Sequence, residues 1–93
     1  MQFERDKEKA AINFKKHGVS FDEAETVFGS SLAGIFDDET HSIEEKREII
    51  IGYSINNRLL IIIFTERDNE TVRIISAREA TPKERRKFEN ADG

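Results

Sequence analysis

Six consecutive apolar residues, Leu59 to Phe64, constrain the fold of this chain more than any other feature. The run has no polar alternation, which is typical of a strand that is covered on both faces inside a sheet. It is also far shorter than the ~18 residues that a membrane-spanning helix needs. We therefore expect a β-sheet in which this segment is an interior strand.

Turn-forming residues on either side of this run predict the neighbouring strands. The turns at 54–57 and 67–70 have hairpin lengths and would join three strands into an antiparallel meander. One more strand is expected before an acidic loop at 37–45. In chain order, the predicted strands are Leu32–Phe36, Glu48–Tyr53, Arg58–Glu66 and Thr71–Arg78.

Two helices are predicted before the strands. Asp6 is a suitable N-cap for a helix over 7–17, in which Ala10, Ala11 and Phe14 would share one face, and Gly18 suits its C-terminal cap. The sequence SFDE at 20–23 has the capping-box pattern and predicts the start of a second helix. Both helices would pack on one face of the sheet.

A third helix is predicted at the other end of the chain, where TPKE at 81–84 repeats the capping-box pattern. The predicted order is therefore ααββββα. We expect a single α+β domain over residues 1–93, with two N-terminal helices, a four-stranded antiparallel sheet and a C-terminal helix.

Composition excludes several classes of protein. The chain has no cysteine, so disulfides, thiolate metal sites and a cysteine nucleophile are excluded. The N-terminus lacks the apolar segment of a secretory signal. We expect a soluble, cytoplasmic domain with no membrane partner.

Positive charge is concentrated in one stretch, Arg73 to Phe88, of an otherwise acidic chain. The stretch has six basic and two acidic residues, a balance of +4, whereas the whole chain carries −4 and the remainder therefore −8. Lys83, Arg86 and Lys87 would form one stripe along the last helix at i, i+3, i+4 spacing. Such a stripe is typical of phosphate binding, although a solvated helix face has the same pattern.

Arginines at the ends of the last two strands suggest metal-free chemistry on RNA. The 2′-hydroxyl would attack the adjacent phosphorus while the protein orients the backbone, neutralises charge and moves two protons. Arg67 and Arg78 suit the charge role, with Glu66 or His17 as proton acceptor. The two arginines converge if the strands are bent or staggered; otherwise a phosphate backbone lying across the sheet would engage both.

Further basic residues complete the expected RNA-binding site: Arg58, Arg73, Lys83, Arg86 and Lys87. His41, in the acidic loop beside Asp37 and Asp38, has neighbours suited to a metal ion but no diagnostic ligand spacing. We therefore expect no metal ion or other cofactor.

Several short motifs occur in order along nearly the whole chain, from about Phe3 to Phe88. They are FE-x-D at 3–6, NFKKHGVSF at 13–21, GYS at 52–54, RLL at 58–60, TER at 65–67 and RIISAR at 73–78. The ordered set, above all KHGVSF followed by TER and RIISAR, resembles the BrnT family of toxins from type II toxin–antitoxin systems. Two positions depart from the family pattern: Arg5, where members commonly have tryptophan, and Glu79, where many have a basic residue.

The resemblance implies a RelE-like fold, ribonuclease activity and arrest of translation. It also implies a BrnA-type antitoxin with a ribbon-helix-helix domain and a toxin–antitoxin complex that binds operator DNA. The small core and the segregation of charge suggest in addition that the bound antitoxin covers the basic site. The alternative function is a non-catalytic module of the same fold that binds nucleic acid or a protein partner.

Overall fold

The computed structural model describes residues 1–38, 45–68 and 70–90. In chain order the elements are β1 (Gln2–Glu4), α1 (Lys7–His17), α2 (Phe21–Val27), β2 (Gly34–Asp37), β3 (Glu48–Tyr53), β4 (Leu59–Arg67), β5 (Thr71–Glu79) and α3 (Pro82–Asn90). The strands form one sheet in the order β1-β5-β4-β3-β2. β1 pairs in parallel with β5, and the other pairs are antiparallel.

The central strand is β4, which contains the apolar run 59–64. Leu60 and Ile62 are fully buried on the face that α2 covers. Leu59 and Ile61 belong to a smaller cluster on the opposite face, where Phe88 of α3 packs against them. The predicted interior strand with both faces covered is confirmed, because the run places apolar side chains on each face in turn.

Among the described residues the sheet is mixed and has five strands, which corrects the predicted four-stranded antiparallel sheet and the order ααββββα. The additional strand is β1, only three residues long, which pairs with the start of β5. The Gln2 N–H donates to the Glu70 carbonyl at 2.9 Å, and the Phe3 ring packs edge-on against Phe28 with centroids 5.2 Å apart. A strand this short, with one apolar side chain, shows no apolar–polar alternation in the sequence, so the sequence pattern did not predict it. Contacts with residues that are distant in the sequence hold it in place.

The two N-terminal helices begin at their predicted caps. The Asp6 carboxylate accepts hydrogen bonds from two backbone N–H groups of the first turn of α1. Gly18 caps the other end of this helix with a left-handed φ of 69°. Ser20 caps α2 by accepting from the Glu23 N–H at 3.0 Å. The Glu23 carboxylate, however, binds Arg58 instead of completing a capping box. The capping-box pattern thus predicted the start of the helix correctly, but it did not predict the role of its acidic residue.

A polar residue, Asn13, holds α1 against the sheet. Its Nδ2 donates to the carbonyls of Val19 and Ala77, each at 2.9 Å, and its Oδ1 accepts from the Ala77 N–H at 3.0 Å. Phe14 is 57% exposed, and of the predicted apolar face of α1 only Ala10 packs against the core. That predicted face is therefore wrong. β1 ends before it reaches Ala77, and the Asn13 side chain takes the place of a neighbouring strand there by bonding the backbone groups of β5.

Asn13→Ala is expected to lower the free energy of unfolding by about 2–3 kcal/mol, because it leaves buried backbone groups without hydrogen-bond partners. Urea denaturation followed by circular dichroism measures this loss. Ile12→Ala, at an exposed position of the same helix, is the matched control and should change stability by less than about 0.5 kcal/mol. An Asn13→Ala protein as stable as the wild type would contradict the assignment.

Candidate functional site

The sheet face opposite α2, which we call the open face, is defined by two rows of residues paired across the strands. These rows are Phe36–Ile49–Ile63–Ser76 and Gly34–Ile51–Ile61–Arg78. α3 covers one end of the open face through Phe88, which packs on the cluster of Leu59, Ile61 and Ala80. Arg78 therefore lies on the open face beside α3.

The Arg78 guanidinium forms a two-pronged ion pair with Glu84 of α3. Its Nη1 and Nη2 atoms donate to the two carboxylate oxygens, each at 2.8 Å. Hydrogen bonds from Arg78, and next from the Thr81 backbone, lower the pKa of Glu84 to about 2, so the pair is ionised at neutral pH. The Arg78 side chain is 41% exposed, so a ligand can reach part of it.

The second predicted capping box is complete and fixes this ion pair at the start of α3. The Thr81 N–H donates to Glu84 Oε1 at 2.9 Å, and the Glu84 N–H donates to Thr81 Oγ1 at 3.2 Å. Glu84 therefore joins the helix start to the end of β5.

Four cations on β5 and α3 accompany Arg78, and we call them the positive strip. Its members have no ion pair or side-chain hydrogen bond within the described part of the chain: Arg73, Lys83, Arg86 and Lys87. Arg73 precedes Arg78 by five positions, an odd number that would place them on opposite faces of a regular strand. The register shift between Ile63 and Phe64 adds one residue to β5, so both arginines lie on the open face.

Arg67 lies at the opposite end of the sheet from Arg78. In the register of β4 and β5, Arg67 pairs with Thr71 whereas Arg78 pairs with Ile61, so the predicted convergence of the two arginines is not observed. The Arg67 Nη1 atom is 3.4 Å from the Glu4 carboxylate.

The surroundings of Arg67 are acidic. It contributes to a surface pocket of about 460 Å³, whose other lining residues are Glu66, Asp68 and Glu70. Strand alternation turns the Glu66 and Arg67 side chains to opposite faces. This end of the sheet is therefore less suited to a phosphate than the Arg78 end.

His17 is exposed at the last position of α1, at the end of the sheet where β5 finishes with Arg78 and Glu79. Two contacts fix this location: Asn13 ties α1 to Ala77, and the Gly18 carbonyl accepts from Arg58 at 3.1 Å. Within residues 1–38, 45–68 and 70–90, no group of three or more histidine, aspartate or glutamate side chains could hold a metal ion. His41 lies outside the described residues.

Arg58, predicted as an RNA ligand, is bonded inside the protein. Its Nε donates to Glu23 Oε2 at 3.0 Å, and its Nη2 makes a second hydrogen bond to the same carboxylate. Ser54 Oγ donates to Glu23 Oε2 at 2.6 Å. These partners, Arg58 first, lower the pKa of the buried Glu23 carboxyl to about 2, although burial opposes them. Sequence reasoning missed this cluster because its three members come from separate segments.

The two departures from the resembled family pattern have local partners. Arg5 forms ion pairs with Asp22, at 2.7 Å, and with Glu25, and so joins the N-terminal segment to α2. The Glu79 carboxylate lies 3.7 Å from Arg58 and 3.8 Å from Arg85. Both departures therefore form ion pairs with side chains on neighbouring elements.

Comparison with known proteins identifies relatives of this chain. A family model described as the ribonuclease toxin, BrnT, of type II toxin–antitoxin systems matches residues 6–84. The crystal structure of the Brucella abortus ribonuclease toxin BrnT matches with a TM-score of 0.69 and 25% sequence identity, over 87% of this chain and 97% of that chain. No curated protein matches significantly. Among the described helices, none is long and apolar enough to cross a membrane.

Proposed function

The chain belongs to the BrnT family of ribonuclease toxins from type II toxin–antitoxin systems, and we propose that it is a RelE-like, metal-independent endoribonuclease that arrests translation in the cytoplasm. The observation that carries this proposal is the positive strip, whose four cations have no ion pair within the described part of the chain and of which Arg73 shares the open face with Arg78, five positions away along β5. An anionic backbone is the ligand that such a strip favours.

The proposed reaction uses the 2′-hydroxyl of RNA as nucleophile. This oxygen attacks the adjacent phosphorus as the bond to the 5′ oxygen of the next nucleotide breaks, which yields a 2′,3′-cyclic phosphate and a 5′-hydroxyl end. Charge grows on the phosphoryl oxygens, and preorganised donors that meet it lower the barrier. Arg78 suits this role because a guanidinium fork matches phosphate oxygens. Arg73 lies on the same face but nearer Arg67, and it suits binding of the flanking RNA backbone.

Proton transfer needs a group other than Glu84. A carboxylate with a pKa of about 2 is a weak base at neutral pH, so Glu84 orients Arg78 and does not accept the proton. We propose His17 as proton acceptor, because it lies exposed at the end of the sheet where β5 finishes with Arg78 and Glu79. Glu66 and Arg67, at the acidic end, stay predictions as catalytic residues, and Arg58 stays one as an RNA ligand.

The proposed partner is a BrnA-type antitoxin with a ribbon-helix-helix domain. Family membership implies an antitoxin. The chain's net charge of −4 disfavours binding of the free toxin to duplex DNA. We therefore propose that operator DNA is bound only by the toxin–antitoxin complex, through the antitoxin.

The direct test is cleavage of RNA by the purified protein in the presence of EDTA. We expect cleavage to continue without metal ions and to leave 2′,3′-cyclic phosphate ends. Induced expression should stop growth, and co-expression of the antitoxin encoded beside the toxin gene should restore it. Binding of RNA without cleavage would instead support the non-catalytic module.

Lys83→Ala is expected to weaken RNA binding and to reduce the salt dependence of the binding constant by the share of one phosphate contact. For single strands this share is a slope of about 0.7 in log K against log salt concentration. Fluorescence anisotropy with a labelled single-stranded RNA, repeated at several salt concentrations, measures the slope. Lys16→Ala, an exposed lysine on α1, is the matched control. If the slope of log K against log salt concentration were the same for Lys83→Ala and the wild type, Lys83 would not contact the RNA.

A further inference from the structure

An apolar groove lies between α3 and the open face. It has a volume of about 440 Å³, and its lining includes Phe36, Ile49, Ile51, Ile61, Phe88 and Lys87. The side chains from β2, β3 and β4 form its floor, and α3 forms one wall. The β3 and β4 part of the floor, Ile49, Ile51 and Ile61, is aliphatic and offers bases no hydrogen bonds and no stacking surface, so this part of the groove suits apolar protein side chains better than RNA.

The groove is continuous with an exposed sheet edge. In the part of the chain that the structure describes, β2 is the last strand in the sheet order and is only four residues long. Its two central side chains, Ile35 and Phe36, point to opposite faces and are 57% and 53% exposed. Natural proteins usually protect edge strands with charged residues, so an apolar edge of this kind indicates a surface for strand addition.

The cations of α3 beside the groove indicate which charge a partner needs. Lys87 lines the groove, and Lys83 and Arg86 on the same helix also have no ion pair in the described part of the chain. An occupant that covers these cations without carboxylates of its own would leave them desolvated and unpaired, which is costly. A segment that combines apolar and acidic residues therefore complements this surface.

We propose that the antitoxin of this toxin docks here through an extended segment: its backbone pairs with the outer edge of β2, its apolar side chains fill the groove, and its carboxylates meet Lys87. This inference rests on the proposed function, because family membership supplies an antitoxin as partner. It also explains inhibition. Glu84 lines the groove and binds Arg78, so the docked segment lies beside the arginine's partner and obstructs the approach of RNA to this end of the open face.

The test compares two exposed phenylalanines. Phe36→Asp places a carboxylate in the groove, whereas Phe14→Asp changes an equally exposed ring, 57% accessible, on α1. Titration calorimetry with the antitoxin encoded beside the toxin gene should show binding weakened at least about tenfold by Phe36→Asp and by less than about twofold by Phe14→Asp. Circular dichroism checks that both variants are folded.

Inhibition provides a second readout. The Phe36→Asp toxin should cleave RNA like the wild type and should resist an antitoxin concentration that silences the Phe14→Asp toxin. Wild-type antitoxin affinity in Phe36→Asp would overturn the docking site, whatever the nuclease result. A wild-type toxin that cleaves no RNA would overturn the proposed function, while the calorimetry would still decide the docking site.

Charge reversal at the groove wall tests the acidic part of the proposal. Lys87→Glu should weaken antitoxin binding at least about tenfold, whereas Lys16→Glu on α1 should leave it unchanged. Equal affinities of the Lys87→Glu and Lys16→Glu variants for the antitoxin would show that the antitoxin has no carboxylate in contact with Lys87. If the wild-type toxin alone forms a dimer by light scattering and Phe36→Asp makes it monomeric, the surface joins two toxin copies and the antitoxin assignment fails.

Discussion

Arg78→Ala is expected to reduce RNA cleavage by at least about 100-fold, the scale observed when one donor to a developing oxyanion is removed. The reason is the position of Arg78 on the open face, where its guanidinium is partly exposed and lies beside the cations of α3. Single-turnover cleavage of a short RNA measures the rate of the chemical step, and circular dichroism confirms that the variant is folded.

Glu84→Gln is the control that separates catalysis from structure. An amide at this position still accepts a hydrogen bond from the Thr81 N–H, but the ion pair with Arg78 is lost. If Arg78 served only to fix α3, the two variants would lose activity equally. We expect Glu84→Gln to keep most of the cleavage activity, because the freed guanidinium still meets the phosphate. A folded Arg78→Ala toxin with wild-type activity would place the chemistry elsewhere.

Arg67→Ala extends this comparison to the other end of the sheet. Arg67 is paired with Glu4 and surrounded by carboxylates, so we expect a much smaller loss of cleavage than for Arg78→Ala. A loss of similar size would mean that the RNA backbone spans the whole sheet, as the sequence prediction had it.

Local signals were enough to predict most elements of this fold. Strand β3 and helix α1 have the predicted bounds, and the turn before β4 lies where turn residues cluster. Asp6 and Ser20 cap helices as expected because an N-cap acts on the N–H groups of the next turn, which are close in sequence. The central position of β4 also followed from one local feature, its unbroken apolar run.

Features that depend on distant partners were not predictable in this way. Asn13 is a helix residue whose burial makes sense only once the edge of β5 is present beside it. Glu23 stands at the capping-box position, yet Arg58, which lies 35 positions later, takes its carboxylate. In both cases a polar side chain forms hydrogen bonds with a residue that is distant in the sequence, and no local sequence pattern indicates such a pair.

The candidate site was predictable in its helical half only. Lys83, Arg86 and Lys87 form a stripe because α3 has the expected period. Arg73 and Arg78 share a face only through the irregular register near Ile63, which no alternation rule reveals. The two ends of an antiparallel hairpin lie apart, and this geometry keeps Arg67 from Arg78.

Arg58→Ala is expected to destabilise the fold by about 3 kcal/mol or more, because it leaves the buried Glu23 carboxylate, 7% exposed, without its main partner. Chemical denaturation at neutral pH measures the loss. Arg67→Ala is the matched control: its ion pair with Glu4 is exposed, and such pairs contribute less than about 1 kcal/mol. If Arg58→Ala instead keeps wild-type stability and only weakens RNA binding, Arg58 is an RNA ligand as the sequence predicted.

The same ion pair should make stability depend on pH in the acid range. The pKa of Glu23 is about 2 in the folded protein, below its ordinary value of 4.5, so the folded state binds fewer protons than the unfolded state between these values. The contribution is therefore complete above about pH 4.5 and is lost as the pH falls towards 2; its size is on the order of 3 kcal/mol. Glu23→Gln should flatten the curve of unfolding free energy against pH in this window, leaving the part that Glu84 contributes. An unchanged slope in Glu23→Gln would show that Arg58 does not stabilise the charged carboxylate.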